Sequence, residues 1–266
     1  LKIRLRKGSI MIDTHSHLFD EAFQLDIKDC IERCREVNIN KVILVGFSHQ
    51  TNQQAFELAQ EYPLFYPTAG LHPSEASKNY KEDLLYLEEF IKKHKIYAIG
   101  ECGLDYHYGK DNIHEQKKLF QGQIELAIQY QLPLIIHMRE ATQDTFDILK
   151  EYKGKIRGVM HCYSGSKEMA EEFIKLGFYI SLGGPVTFKN AKEAKRIAEE
   201  IDLKSLLIET DCPYLAPVPY RGNRNESSYV LEVAKQIATL RGMSVQQIEE
   251  ITEQNAIKLF SLEEKI

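Results

Sequence analysis

Residues 10–17 run Ile10-Met11-Ile12-Asp13-Thr14-His15-Ser16-His17, a β-rich apolar start that ends in two histidines two positions apart. A doubly wound nucleotide-binding sheet usually follows its first strand with a glycine-rich phosphate loop. Here a His-Ser-His stands in that place, which favours a barrel over an open doubly wound sheet. Working outward, further β-rich runs occur at Lys41–Phe47, Leu64–Leu71, Ile96–Leu104, Leu134–His137, Gly158–His161, Phe178–Leu182 and Leu206–Glu209. Counting Ile10–Thr14, that makes eight. Between them lie segments with apolar residues spaced three and four apart, as in Ile113–Gln131 and Ala191–Ile201, the pattern of helices packed on a parallel sheet. Ser166 and Gly177 bracket a further helix, Lys167–Leu176, as N-cap and C-terminal cap. Two more helical segments follow the eighth strand, Ser227–Arg241 and Ser244–Phe260, the second opened by a Ser244/Gln247 capping box. The expected fold is one α/β domain over residues 11–266, a (β/α)8 barrel with additional C-terminal helices.

The 266 residues match the ~250 such a barrel uses. Apolar residues make up 43%, with 12 Phe and 14 Tyr, so there is material for a large core. No apolar run approaches the ~18 residues of a membrane helix, which excludes an integral helical membrane protein. The net charge of -5 argues against a basic architectural DNA-binding protein and predicts few phosphate contacts with a shallow salt dependence. Five cysteines without a C-x-x-C suit a reduced, cytoplasmic interior. Met11 reads as a natural start, with Leu1–Ile10 an upstream extension or cloning remnant and no secretion signal.

Alternate residues of a strand project to one face, so His15 and His17 can reach one ion. Other strands end similarly: Glu101, His137, His161 and Glu209-Thr210-Asp211 each terminate an apolar run. In a barrel these carboxyl ends meet at one rim. Buried carboxylates there need a compensating charge, which divalent cations supply. The expectation is two ions ~3.5–4 Å apart. His15, His17 and Asp211 would hold one, His137 and His161 the other, with Glu101 bridging. Zn or Mn suits this nitrogen-rich set better than Mg. Asp211 is the candidate general base. Glu209, on the same face, is its supporting neighbour, a further ligand, or an anchor for the following loop.

The segments Ile12–Leu18, Gly70–Pro73, Gly100–Tyr106, Ile136–Ala141, His161–Gly165, Glu209–Pro217 and Pro219–Glu226 resemble, as an ordered set, the TatD family of metal-dependent hydrolases. The resemblance implies an amidohydrolase-type barrel with a metal centre held by His15, His17, Glu101, His137, His161 and Asp211. Because several members are Mg-dependent deoxyribonucleases, Zn, Mn and Mg all stand as candidates for two bound divalent ions. It also implies a nucleic-acid substrate: hydrolysis of DNA or RNA, with 3′-5′ action on single-stranded ends. The alternatives are ester or amide hydrolysis, including D-aminoacyl-tRNA deacylation, and a non-catalytic metal scaffold. Two positions depart from the family pattern: Ser227 where proline is common and His107 where an aromatic is frequent.

A phosphodiester needs cations and donors near the metals. His72, Arg139 and Arg224 are the expected phosphate contacts; Arg139 could instead pair with Glu140, and Arg221 and Arg224 could pin their loop. Tyr106, His107 and Tyr108 read either as a base-stacking cluster or as packing. Cys102, Cys162 and Cys212 each follow a proposed ligand and, in extended chain, would face away from the metals.

Overall fold

The computed structural model describes residues 10–107, 109 and 111–262. Ile10 is thus the only described residue of the Leu1–Ile10 segment, and Tyr108 lies outside the described residues. Eight parallel strands alternate with helices: β1 (Met11–Ser16), β2 (Ile39–Val45), β3 (Phe65–Thr68), β4 (Ile99–Asp105), β5 (Leu134–Arg139), β6 (Gly158–Met160), β7 (Phe178–Leu182) and β8 (Leu206–Ile208). The connecting helices are α1 (Ile27–Glu36), α2 (His49–Glu61), α3 (Tyr80–Lys93), α4 (Ile113–Tyr130), α5 (Thr142–Glu151), α6 (Lys167–Lys175) and α7 (Lys192–Glu200). The last two helices are α8 (Val230–Arg241) and α9 (Val245–Phe260). All eight expected strands are present, each within a few residues of its expected span.

Strands pair in sequence order as β1-β2-β3 and β4-β5-β6-β7-β8. Isolated parallel bridges join these sheets at both seams, Ala69 with Ile99 and Ser16 with Cys212. At the second seam Asp211 N–H donates to the His15 carbonyl and His17 N–H to the Cys212 carbonyl, each at 2.9 Å. This is the (β/α)8 barrel.

Both strand faces are buried, which is why the strands read as apolar runs rather than as clean alternation. One core cluster contains Ile12, Ile43, Val45, Tyr66, Ala98, Ile135, Val159 and Leu207 and fills the barrel. Ala256, Leu259 and Phe260 of α9 belong to it and close the end opposite the rim. The other cluster takes the intervening strand residues, among them Met11, Val42, Leu44, Ile99, Ile136, Met160 and Ile208, and packs them on the surrounding helices. The Ser244 side chain accepts from Gln247 N at 3.2 Å while the Gln247 side chain accepts from Ser244 N at 2.9 Å, the expected capping box. The segment from Ser227 opens with a 3-10 turn and becomes α-helical only at Val230.

Two irregularities aim the site. Between Asp13 and Ser16, β1 spends three residues against two of β2, from Val42 to Leu44. Between Ile99 and Cys102, β4 does the same against Leu134 and Ile136 of β5. One extra residue turns everything beyond it to the other face. Ile12 and Ala98 point into the barrel, so strict alternation would send His15 and Glu101 outward to the helices. The bulges bring them back inside. In β5 and β6 no such device is needed, because His137 and His161 lie two residues beyond the inward-facing Ile135 and Val159. Among the described residues, no helix is long and apolar enough to cross a membrane.

Candidate metal centre

The strand ends surround an open cleft of about 1080 Å³ whose lining includes His17, His72, Glu101, Asp105, Arg139 and Asp211. On its floor, His15 Nε2 lies 3.2 Å from His17 Nε2, 3.6 Å from Glu101 Oε2 and 3.7 Å from Asp211 Oδ1. Asp211 Oδ1 is also 3.6 Å from His17 Nε2. The other Glu101 oxygen, Oε1, meets His137 Nδ1 at 2.8 Å and His161 Nε2 at 2.9 Å. All six expected ligands therefore converge, with Glu101 reaching both halves. The groupings differ in detail from expectation. His15, His17 and Asp211 form one set, but His161 groups with Glu101 and His15, while His137 groups with His72 and Asp105.

The outer nitrogens fix which atom of each ring faces the centre. His17 Nδ1 donates to the Val45 carbonyl at 2.8 Å, leaving the Nε2 lone pair inward. His137 Nε2 donates to Asp105 Oδ2 at 3.0 Å, leaving Nδ1 inward. His161 Nδ1 lies 3.5 Å from Glu209 Oε1, and the same oxygen accepts from Cys162 N at 2.6 Å. Such carboxylate and carbonyl partners orient metal-binding imidazoles and raise their basicity. Glu209, fully buried, thus backs His161 and also anchors the chain after it.

Two neutral imidazole nitrogens 3.2 Å apart can share only one proton, and buried carboxylates cost several kcal/mol uncompensated. A cation answers both demands, and four imidazoles with two carboxylates are the donors that first-row divalent metals take. The residues fit a metal. With protons as the only positive charge, the electrostatics show the same polarity. Burial would raise Glu101, but His161, His137 and His15 hold it well below the usual carboxylate range. Burial would lower His161, but Glu101 and Glu209 push it well above an ordinary imidazole. Burial lowers His15, aided by the charge of His161, on which it stacks at 4.0 Å.

His72 and Arg139 both line the cleft. His72 Nδ1 accepts from Ser74 N at 3.1 Å, so its proton sits on Nε2, 3.9 Å from Glu101 Oε1. Burial pushes its pKa down to about 4, making it a neutral donor rather than a cation. Arg224 is elsewhere. Its guanidinium clamps Asp26 at 2.8 and 2.6 Å and stacks over Phe23 at 4.4 Å, so its fork is already committed to a carboxylate. The hydrogen bonds from Arg224 outweigh burial and hold Asp26 at about 2. The expected phosphate contact is therefore corrected to a loop pin, the role that Arg221 also takes by stacking on Phe188 at 4.2 Å. Arg224→Ala should cost about 1 kcal/mol, discounted because the pair is 31% and 30% exposed. A melting temperature about 2–4 °C lower with unchanged metal content and unchanged oligonucleotide KM is the expected result; a raised KM would return Arg224 to the site.

One open reading resolves and one expectation changes. Tyr106 is buried with its hydroxyl on Asp144 at 2.7 Å, and His107 pairs with Glu140 at 2.6 Å, so neither offers a ring to the cleft. Cys102 and Cys212 are buried as expected, but Cys162 has φ 41° and its side of the chain lines the cleft, because the backbone there is left-handed and not extended. Asp105 was missed. It lies four residues beyond Glu101, an even spacing that puts both on one face of β4. Gly103 between them has φ 142°, and a Cβ there would fall 2.0 Å from the His137 carbonyl oxygen. Only glycine lets β4 approach His137 so closely.

A parallel barrel whose rim gathers four imidazoles and two carboxylates on the floor of an open cleft defines a metal-dependent hydrolase. The profile described as TatD related DNase matches residues 12–261. This chain belongs to the TatD family. The metal-dependent hydrolase YabD of Bacillus subtilis (strain 168) is 46% identical over 254 residues, covering 95% of this chain and 100% of the relative. A 3′-5′ ssDNA/RNA exonuclease TatD of Edwardsiella piscicida is 30% identical, covering 95% and 100%. The crystal structure of YJJV, a TatD homologue from Escherichia coli K12, has TM-score 0.89 at 29% identity, covering 95% of this chain and 98% of that one.

Proposed function

We propose that this enzyme hydrolyses phosphodiester bonds at the ends of single-stranded DNA or RNA, with two divalent cations held by His15, His17, Glu101, His137, His161 and Asp211. The cleft carries this reading: five of the six metal-type donors line it, with His15 buried against them, beside a neutral N–H donor, His72, and an arginine, Arg139, on its wall. The Edwardsiella relative, named for exonuclease action, supports the same substrate class. Five free cysteines fit a reducing, cytoplasmic setting.

When bound, divalent cations supply an acidified water and neutralise charge on the attacked phosphate. Asp211, with 13% of its side chain exposed to the cleft, would accept the proton of the attacking water. The water oxygen bonds to phosphorus as the phosphorus–sugar oxygen bond breaks, and the departing oxygen takes a proton from solvent. His72 Nε2–H donates to a non-bridging phosphate oxygen, and Arg139, on the cleft wall, is the second proposed phosphate contact.

The test is a panel of end-labelled single-stranded DNA, RNA, D-aminoacyl-tRNA and simple esters and amides, each with Mg, Mn or Zn. Stepwise shortening of the oligonucleotides is expected. Release of the aminoacyl group with oligonucleotides left intact would replace the proposal with a deacylase.

A further inference from the structure

The nuclease reading leaves open what the cleft recognises besides phosphate. Next to the metal-type donors, the loop after β8 exposes apolar side chains: Tyr214 is 56% exposed and Leu215 43%. Both line the cleft, and the Tyr214 ring centroid lies 6.4 Å from that of His17. Exposed aromatics usually sit on yielding loops. This one does not. Tyr214 N–H donates to the Asp211 carbonyl at 2.9 Å, and its own carbonyl accepts from Asn225 Nδ2 at 2.6 Å. Asn225 is fully buried and also donates to the Thr210 carbonyl at 2.8 Å. On the far side the chain presses on Gly184, where a Cβ would fall 1.9 Å from the Leu215 carbonyl oxygen. An apolar shelf is therefore held rigidly against the candidate general base, with the ring left in water. Phe47 also lines the cleft, but it is half-buried and meets His17 edge-on at 5.3 Å.

We propose that Tyr214, flanked by Leu215, is the stacking platform for the nucleobase of the terminal nucleotide, so that the enzyme distinguishes ends that carry a base from ends that do not. This rests on the nuclease reading and deepens it. Every base presents a π-face, so such a platform is tolerant of sequence. It also needs no cationic groove, in keeping with the net charge of -5.

The experiment compares single-stranded oligonucleotides whose attacked end bears either a normal nucleotide or an abasic tetrahydrofuran unit, using the metal-loaded enzyme. Wild type should show a KM about 5- to 150-fold lower for the base-bearing end, the range of one base–aromatic stack. Tyr214→Phe should keep that ratio. Tyr214→Ala and Tyr214→Leu should bring it to about one, and anisotropy of a labelled oligonucleotide with a cleavage-resistant terminal phosphorothioate should show the same loss in binding. A ratio unchanged in Tyr214→Ala and Tyr214→Leu, with normal circular dichroism, overturns the platform and leaves the nuclease reading standing. Wild-type enzyme that neither binds nor cleaves either oligonucleotide overturns both.

Discussion

Glu101→Gln should abolish hydrolysis while the barrel stays folded. The substitution keeps shape and removes one charge, yet that charge touches everything in the centre. Oε1 lies 2.8 and 2.9 Å from His137 and His161, and Oε2 lies 3.6 and 3.9 Å from His15 and His17. The amide of glutamine turns an NH2 toward ring nitrogens that present lone pairs inward, and it offers no anion to share between the two proposed cations. A single preorganised contact is worth about 10²–10³ in kcat. A group that organises both halves of a centre should exceed that, so kcat/KM is expected to fall on the order of 10³-fold or more. Metal content by elemental analysis should fall below that of wild type. A variant with near-normal hydrolysis and full metal content would remove Glu101 from its bridging role.

Chelation is the second large effect, and its pH dependence carries a sign. A ligand bound at a hundredfold excess over Kd stabilises the fold by about 2.7 kcal/mol. At about 2–4 °C per kcal/mol for a chain of this size, removal should lower the melting temperature by about 5–11 °C and end turnover. In the metal-free protein, burial would lower His17, His137 and His161, but the carboxylates of Glu101, Asp211 and Asp105 push all three above the ordinary value of 6.5. A histidine raised in this way stabilises the fold fully below pH 6.5, and that stability is lost as pH climbs through its folded value. Burial lowers His15, so its slope has the opposite sign and fades as pH rises past the ordinary value of 6.5. Metal binding runs the other way, because imidazoles must shed protons to ligate. The gap in melting temperature between loaded and chelated protein should therefore widen from pH 6.5 to pH 9. Scanning calorimetry at the two pH values decides it, and a gap that narrows, or no effect of chelator, would reject the centre.

The strands were legible because a barrel buries both of their faces. Runs such as Leu134–Ile136 therefore stay apolar without interruption, and a polar residue at their end stands out. His137, His161 and Glu209 were readable by simple alternation from Ile135, Val159 and Leu207. Asp105 was readable by the same rule from Glu101. Arg224 was not, since a cation in a loop looks alike in sequence whether its fork meets a substrate or Asp26. Nor was the contrast between Tyr106 and Tyr214. The two tyrosines differ in what covers them, and Asp144, which holds the first, is 38 residues away.

The chain by itself determined the eight-fold alternation, the rim to which the candidate ligands belong and the residue types suited to metal. Only the tertiary structure decided that His15 and Glu101 face that rim. Each depends on one extra residue in β1 or β4 relative to the neighbouring strand. Side-chain alternation is a property of one strand, whereas a bulge is a mismatch between two, and it exists only once both are hydrogen-bonded in register.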